Sequence, residues 1–154
     1  MTEASTDVIE KEMVIRSPRS RVWRALTEYQ EFGRWFMVAM KDPFVPGARA
    51  EGQILYPGYQ HLTMEVWVER MEPETLFSFR WHPYAIESGI DYSQEATTLV
   101  VFELEDVPEG TRIKVTESGF DQIPLARRAK AFQMNRSGWS EQLDNIARYV
   151  GEGG

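Results

Sequence analysis

The chain has 154 residues, 42% hydrophobic and 27% charged, which suits one soluble globular domain with a full-sized core. Its formal net charge of -7 argues against nucleic acid, whose phosphates need a basic footprint. The absence of cysteine excludes disulfides, thiol nucleophiles and thiolate metal sites.

The opening MTEASTDVIEKEM lacks the basic and apolar regions of a signal peptide, and no apolar stretch reaches the ~18 residues of a membrane span, so a cytoplasmic protein is expected. Val8 to Arg16 alternates weakly and reads as a first strand. Ser17-Pro18 follows as an N-cap and first helical position. Val22, Leu26 and Tyr29 then mark one face of a short amphipathic helix, with Trp23 beside them. A second short helical turn covers Gln30 to Phe36, and Lys41 to Gly47 is loop.

Strands follow in quick succession. Ala50 to Tyr56 ends at Pro57-Gly58, a type II turn dipeptide. His61 to Met71 places Leu62, Met64, Val66 and Val68 on one face. Thr75 to His82 groups Phe77, Phe79 and Trp81. Thr97 to Glu105 carries Thr98, Val100, Phe102 and Leu104 inward, and after the Pro108–Gly110 turn Thr111 to Ser118 carries Ile113 and Val115 inward. This alternation describes an antiparallel meander with one buried face. Pro83 to Glu95 is a loop long enough to carry function.

Pro124 to Val150 reads as one amphipathic helix of about 27 residues, roughly 40 Å long. With Phe132 at the centre of a helical wheel, Leu125, Ala129, Trp139, Leu143, Ile146 and Val150 fall in a narrow arc around it, and Arg136 falls in the same arc. The cluster of Arg127, Arg128, Lys130 and Arg136 reads as a solvated helix face. The layout is α+β: a single domain over residues 1–154 with its core at about 8–151, and helices confined to one face of the sheet.

The aromatic residues Phe77, Phe79, Trp81, Phe102, Phe132 and Trp139 all point inward on these assignments, and Tyr56 joins them. They form either a packed core or the wall of an apolar pocket. Glu117 continues the inward series of its strand, and Arg136 interrupts the helix stripe. A buried charge needs a partner, so these two are expected to pair directly or through water as the polar end of the pocket. His61 and His82 fall on outward faces without metal-ligand spacing, and neither a nucleophile elbow, a phosphate loop nor a dinucleotide fingerprint is present. No catalytic residue, metal or cofactor is assigned. Trp67 sits among polar neighbours on the outward face of its strand and is expected to pack beneath the two short helices; left exposed, it would instead mark a protein-interaction surface.

The segments SPRSRVWRALTEYQEFGRWF, VERMEPETLFSFRW, GTRIKVTESGF and GWSEQLDNIARYV, taken in order and spacing, resemble the START-like superfamily with the helix-grip fold. Within it the chain is most similar to single-domain bacterial relatives of the C-terminal domain of the heat-shock protein 90 ATPase activator. The resemblance implies a curved antiparallel sheet of about six strands around the long C-terminal helix, with two short helices after the first strand. It also implies a cavity between sheet and helix for a small, largely hydrophobic ligand. The expected lining is Tyr56, Met64, Phe79, Trp81, Phe102, Glu117, Phe132, Arg136 and Trp139. Two alternatives stand beside this binding role: a cyclase, dehydratase or hydrolase using Glu117 as acid or base, and a chaperone-interacting module.

Overall fold

A computed structural model describes residues 8–83 and 96–151, with backbone alone at 125–127. Of the sequence expectations, the loop from Pro83 to Glu95 lies outside the described residues beyond its first position, as do the side chains of Leu125 and Arg127.

Seven strands form one antiparallel sheet: β1 (Val8–Ile15), β2 (Val38–Met40), β3 (Arg49–Ile54), β4 (Thr63–Glu72), β5 (Leu76–Trp81), β6 (Thr98–Val107) and β7 (Gly110–Ser118), in the spatial order β1-β7-β6-β5-β4-β3-β2. The helices are α1 (Arg19–Thr27), α2 (Tyr29–Phe36) and α3 (Leu125–Gly151), the last preceded by a short 3₁₀ turn at Phe120–Gln122. The architecture is the α+β helix-grip arrangement. Strand β1 holds one edge and β2 the other, so α1 and α2 carry the chain across the sheet. Among the described residues, no helix is long and apolar enough to cross a membrane.

Two local outcomes differ from the sequence expectation. Helix α1 starts at Arg19, because Pro18 has an extended ψ of 153° and acts as the cap, its carbonyl accepting from Arg21 and Val22. The sheet also gains a seventh strand. Met37 ends α2 in the left-handed conformation, φ 63°, and turns Val38–Met40 back along β3. Two glycines permit this approach: a Cβ on Gly33 would sit 2.2 Å from the Val38 carbonyl oxygen, and one on Gly52 would sit 2.7 Å from the Ala39 carbonyl oxygen. The Pro57-Gly58 turn forms as the dipeptide requires, with Gly58 at φ 91° and the Tyr59 amide donating to the Tyr56 carbonyl at 2.9 Å.

The inner face is built by strict alternation. Met64, Val66 and Val68 on β4, Phe77 and Phe79 on β5, Val100, Phe102 and Leu104 on β6, and Ile113 and Val115 on β7 are all buried. Helix α3 lies over this face and packs against β1, α1 and α2. Its buried stripe runs Ala131, Trp139, Leu143, Ile146 and Val150. Ala129, expected inside, is exposed, whereas Ala131 is fully buried. The stripe is therefore centred near Ile146 rather than Phe132, a rotation of about 40° at ~100° per residue. That rotation decides which polar residue of α3 faces the sheet.

A buried carboxylate beside an aromatic crevice

Register brings the site together. Trp81 pairs directly with Thr98 across β5 and β6, and Glu117 on β7 lies opposite Val100, the next inward residue of β6. Trp81, Thr98 and Glu117 thus share one corner of the inner face, where α3 adds Asn135 and Trp139 one helical turn apart.

Glu117 is 0% exposed, and among the described residues four neutral side chains donate to its carboxylate. The Trp139 indole donates to Oε1 at 2.8 Å and the Trp81 indole to Oε2 at 2.7 Å. The Thr98 hydroxyl donates to Oε2 at 2.5 Å. The Asn135 amide spans both oxygens, at 2.9 Å to Oε1 and 3.1 Å to Oε2. Burial pushes the Glu117 carboxyl above the ordinary glutamate range, against the hydrogen bonds from Thr98, Trp81, Trp139 and Asn135, which favour the charged form. Indole N–H groups only donate, so this set fits the ionised carboxylate.

Arg136 is not the partner expected for Glu117. It is exposed, because the rotated helix turns it away from the sheet and presents Asn135 in its place. An amide meets the carboxylate without the added cost of burying a second charge. Tyr56 is likewise displaced: it lies beyond the end of β3, is 45% exposed and packs against Tyr59 with ring centroids 5.9 Å apart. Trp67 is half-buried on the outer face of β4, where its ring meets that of His82 edge-on at 5.6 Å rather than lying beneath α1 and α2. Within the basic cluster, Arg128 folds back to donate to the carbonyls of Asp121 and Ile123.

The remaining expected lining residues are inside. Met64, Phe79, Phe102 and Trp139 are buried, while Trp81 and Phe132 are half-buried. Phe102 meets Trp139 edge-on at 5.6 Å, and Trp139 stacks on Trp81 at 5.7 Å with the rings 29° apart. Phe132 sits apart from this group, edge-on to Phe120 at 5.3 Å.

Beside the carboxylate, Phe36, Trp81, Asn135, Gly138, Trp139 and Gln142 line an open crevice of about 100 Å³ between α2, β5 and α3. The Phe36 ring lies 6.0 Å from Trp81 and 6.3 Å from Trp139. Sequence reasoning named Trp81 and Trp139 but not Phe36, Asn135, Gly138 or Gln142. The last three follow from the true helix phase; Phe36 depends on how α2 packs, which no local pattern reveals. Thr98 was placed on the inner face by alternation, without a role.

The closed coordination of Glu117 bears on its chemistry. Each oxygen already accepts two or more hydrogen bonds, and the carboxylate reaches the crevice only through Trp81, Asn135 and Trp139. When ionised, it places a negative charge behind a neutral wall of Trp81, Asn135 and Trp139.

The chain is similar throughout its length to several solved structures. Protein MLL2253 from Mesorhizobium loti is 21% identical, with 94% of this chain and 97% of that one aligned at a TM-score of 0.74. DynU16, a putative protein in the dynemicin biosynthetic locus, is 22% identical at a TM-score of 0.73, with 96% of this chain covering 48% of that one, so this chain spans about half its length. The Aha1 dimer from Colwellia psychrerythraea is 16% identical at a TM-score of 0.66, with 91% and 92% of the two chains covered. No curated protein matches the chain in sequence. The model of one family, described as activator of Hsp90 ATPase homolog 1-like protein, matches residues 16–151. With that match and the helix-grip fold together, the chain belongs to the activator of Hsp90 ATPase homolog 1-like family of the START-like superfamily.

Proposed function

We propose that this protein binds a small, largely apolar molecule, without catalysis, at the crevice between the sheet and α3. The observation that carries this reading is the aromatic opening formed by Phe36, Trp81 and Trp139 beside a buried polar group. Apolar walls with a few placed polar groups are the usual construction of a small-molecule site, and burial there supplies affinity at ~25 cal/mol per Å². A catalytic role for Glu117 is not favoured, since a general base needs a free lone pair within reach of the substrate proton.

Native mass spectrometry of the protein as purified, together with tryptophan fluorescence during ligand titration, tests the reading. Filling the crevice with Gly138→Leu should abolish the bound mass and the fluorescence response while the protein stays folded. Binding that persists unchanged in this variant would place the site elsewhere.

A second reading, a chaperone-interacting module, draws on the family and on the exposed apolar side chains of Met37, Leu55 and Tyr56 near β2. A pull-down with Hsp90, with and without nucleotide, separates it from the first.

A further inference from the structure

We propose that the crevice binds an organic cation, an alkylated ammonium head seated against Phe36, Trp81 and Trp139 and attracted by the Glu117 carboxylate behind them. This rests on the small-molecule reading above and adds the ligand's charge.

The first support is a buried carboxylate with no counter-charge among the described residues. Glu117 is fully buried, and Trp81, Thr98, Asn135 and Trp139, which donate to it, are all neutral. Hydrogen bonds stabilise a carboxylate but do not cancel its charge, and in a region of low dielectric the remaining field is weakly screened. The six crevice residues are neutral too, so no arginine or lysine there opposes that field.

The second support is the ring arrangement. Three aromatic rings in mutual contact, with centroids 5.7, 6.0 and 6.3 Å apart, line one crevice. Aromatic faces carry negative partial charge and attract cations, most strongly for tryptophan. Both indoles donate their N–H to the carboxylate, which polarises each ring toward higher electron density and strengthens this attraction. The same donations leave neither indole N–H free for an anion.

The third is size and edge chemistry. A volume of about 100 Å³ holds a compact head group rather than a long chain. Asn135 uses its amide N–H₂ on Glu117 and keeps its carbonyl oxygen as an acceptor, and Gln142 Oε1 accepts from Asn145 at 3.0 Å. A methylated ammonium presents an apolar surface with a positive charge, which suits these walls. A carboxylate ligand would meet a buried like charge.

The test titrates the full chain at pH 8 with choline, its neutral isostere 3,3-dimethyl-1-butanol and the anion 3,3-dimethylbutyrate, read by calorimetry and tryptophan fluorescence. Choline should bind about tenfold more tightly than the alcohol, with the anion weakest. Phe36→Leu should bring the choline-to-alcohol ratio toward one in a protein that circular dichroism shows to be folded, and Phe36→Tyr should preserve it. Equal binding of choline and the alcohol would overturn the cation assignment while leaving the small-molecule reading standing. Binding of none of the three would also overturn the cation assignment, and the small-molecule reading would then stand or fall on the native mass spectrometry and Gly138→Leu test above. A ratio unchanged in Phe36→Leu would remove the aromatic cage from the account.

Discussion

Asn135 and Glu117 are joined across the interface between α3 and β7 by one amide that donates to both carboxylate oxygens, at 2.9 and 3.1 Å. The sequence offers two polar residues here, one position apart on the helix, and the structure uses the uncharged one. The choice has an energetic basis. Burying a guanidinium beside the carboxylate would add a second desolvation penalty of several kcal/mol. An amide adds little and still satisfies two acceptor sites.

This relationship separates the two neighbours experimentally. Asn135→Ala should destabilise the fold by about 1–3 kcal/mol, because a buried carboxylate loses a donor that water cannot readily replace. Arg136→Ala should stay within about 0.5 kcal/mol, as expected for an exposed side chain. Urea unfolding of both variants checks this; a larger loss in the Arg136 variant would reverse the assignment of the helix face.

Trp139 does two jobs that substitutions can divide. It packs edge-on against Phe102 and stacks on Trp81, and its indole donates to Glu117 Oε1. Trp139→Ala removes both and should cost ~3–5 kcal/mol. Trp139→Phe keeps most of the apolar volume and loses the donor, so a smaller cost of about 1–3 kcal/mol is expected. Equal losses in the two variants would mean that packing contributes nothing beyond the hydrogen bond.

The fold was legible because its signals are periodic. Alternation placed Met64, Phe79, Phe102 and Glu117 on the buried face, and α3 was expected over about 27 residues, the length it has. Strand β2 escaped because three residues are too few for a pattern; its existence depends on the absence of a Cβ at Gly33 and Gly52. The site was legible only in part. A helical wheel fixes relative phase, not which side meets the sheet, and the error of about 40° exchanged Asn135 for Arg136. Tyr56 followed strand alternation past the point where β3 ends at Ile54.

Gly138 sits in the middle of α3, where a Cβ would meet nothing within 4 Å. Glycine in a helix interior costs roughly 1 kcal/mol relative to alanine. Gly138→Ala should therefore raise stability by about that amount, seen as a higher urea midpoint. A destabilised variant would show that close packing, rather than an open crevice, surrounds this position.

Two buried or half-buried carboxyls should give stability opposite dependences on pH. Burial acts on Glu31 too, but the hydrogen bonds from Tyr149 and Arg21 and the charges of Arg21 and Arg24 outweigh it and hold the carboxyl below the usual range. Its contribution is therefore present above the unfolded value and lost as the pH falls through the folded one. Glu117 is the reverse case, its carboxyl raised by burial against the hydrogen bonds of Thr98, Trp81, Trp139 and Asn135. For a raised acid the folded state takes up the proton more readily, so the stabilisation is complete below the unfolded value of 4.5 and is lost as the pH rises through the folded value. Glu117→Gln keeps the side-chain size and removes the titration. Its overall stability should be lower, since an amide N–H₂ would face the Asn135 and indole donors. The difference in unfolding free energy between the natural protein and this variant should then shrink as the pH is raised from 4.5, while Tyr149→Phe should weaken the acid-side dependence set by Glu31. Urea unfolding at a series of pH values measures both, and a difference that stays constant for Glu117→Gln would show that Glu117 is as easily ionised in the folded protein as in the unfolded chain.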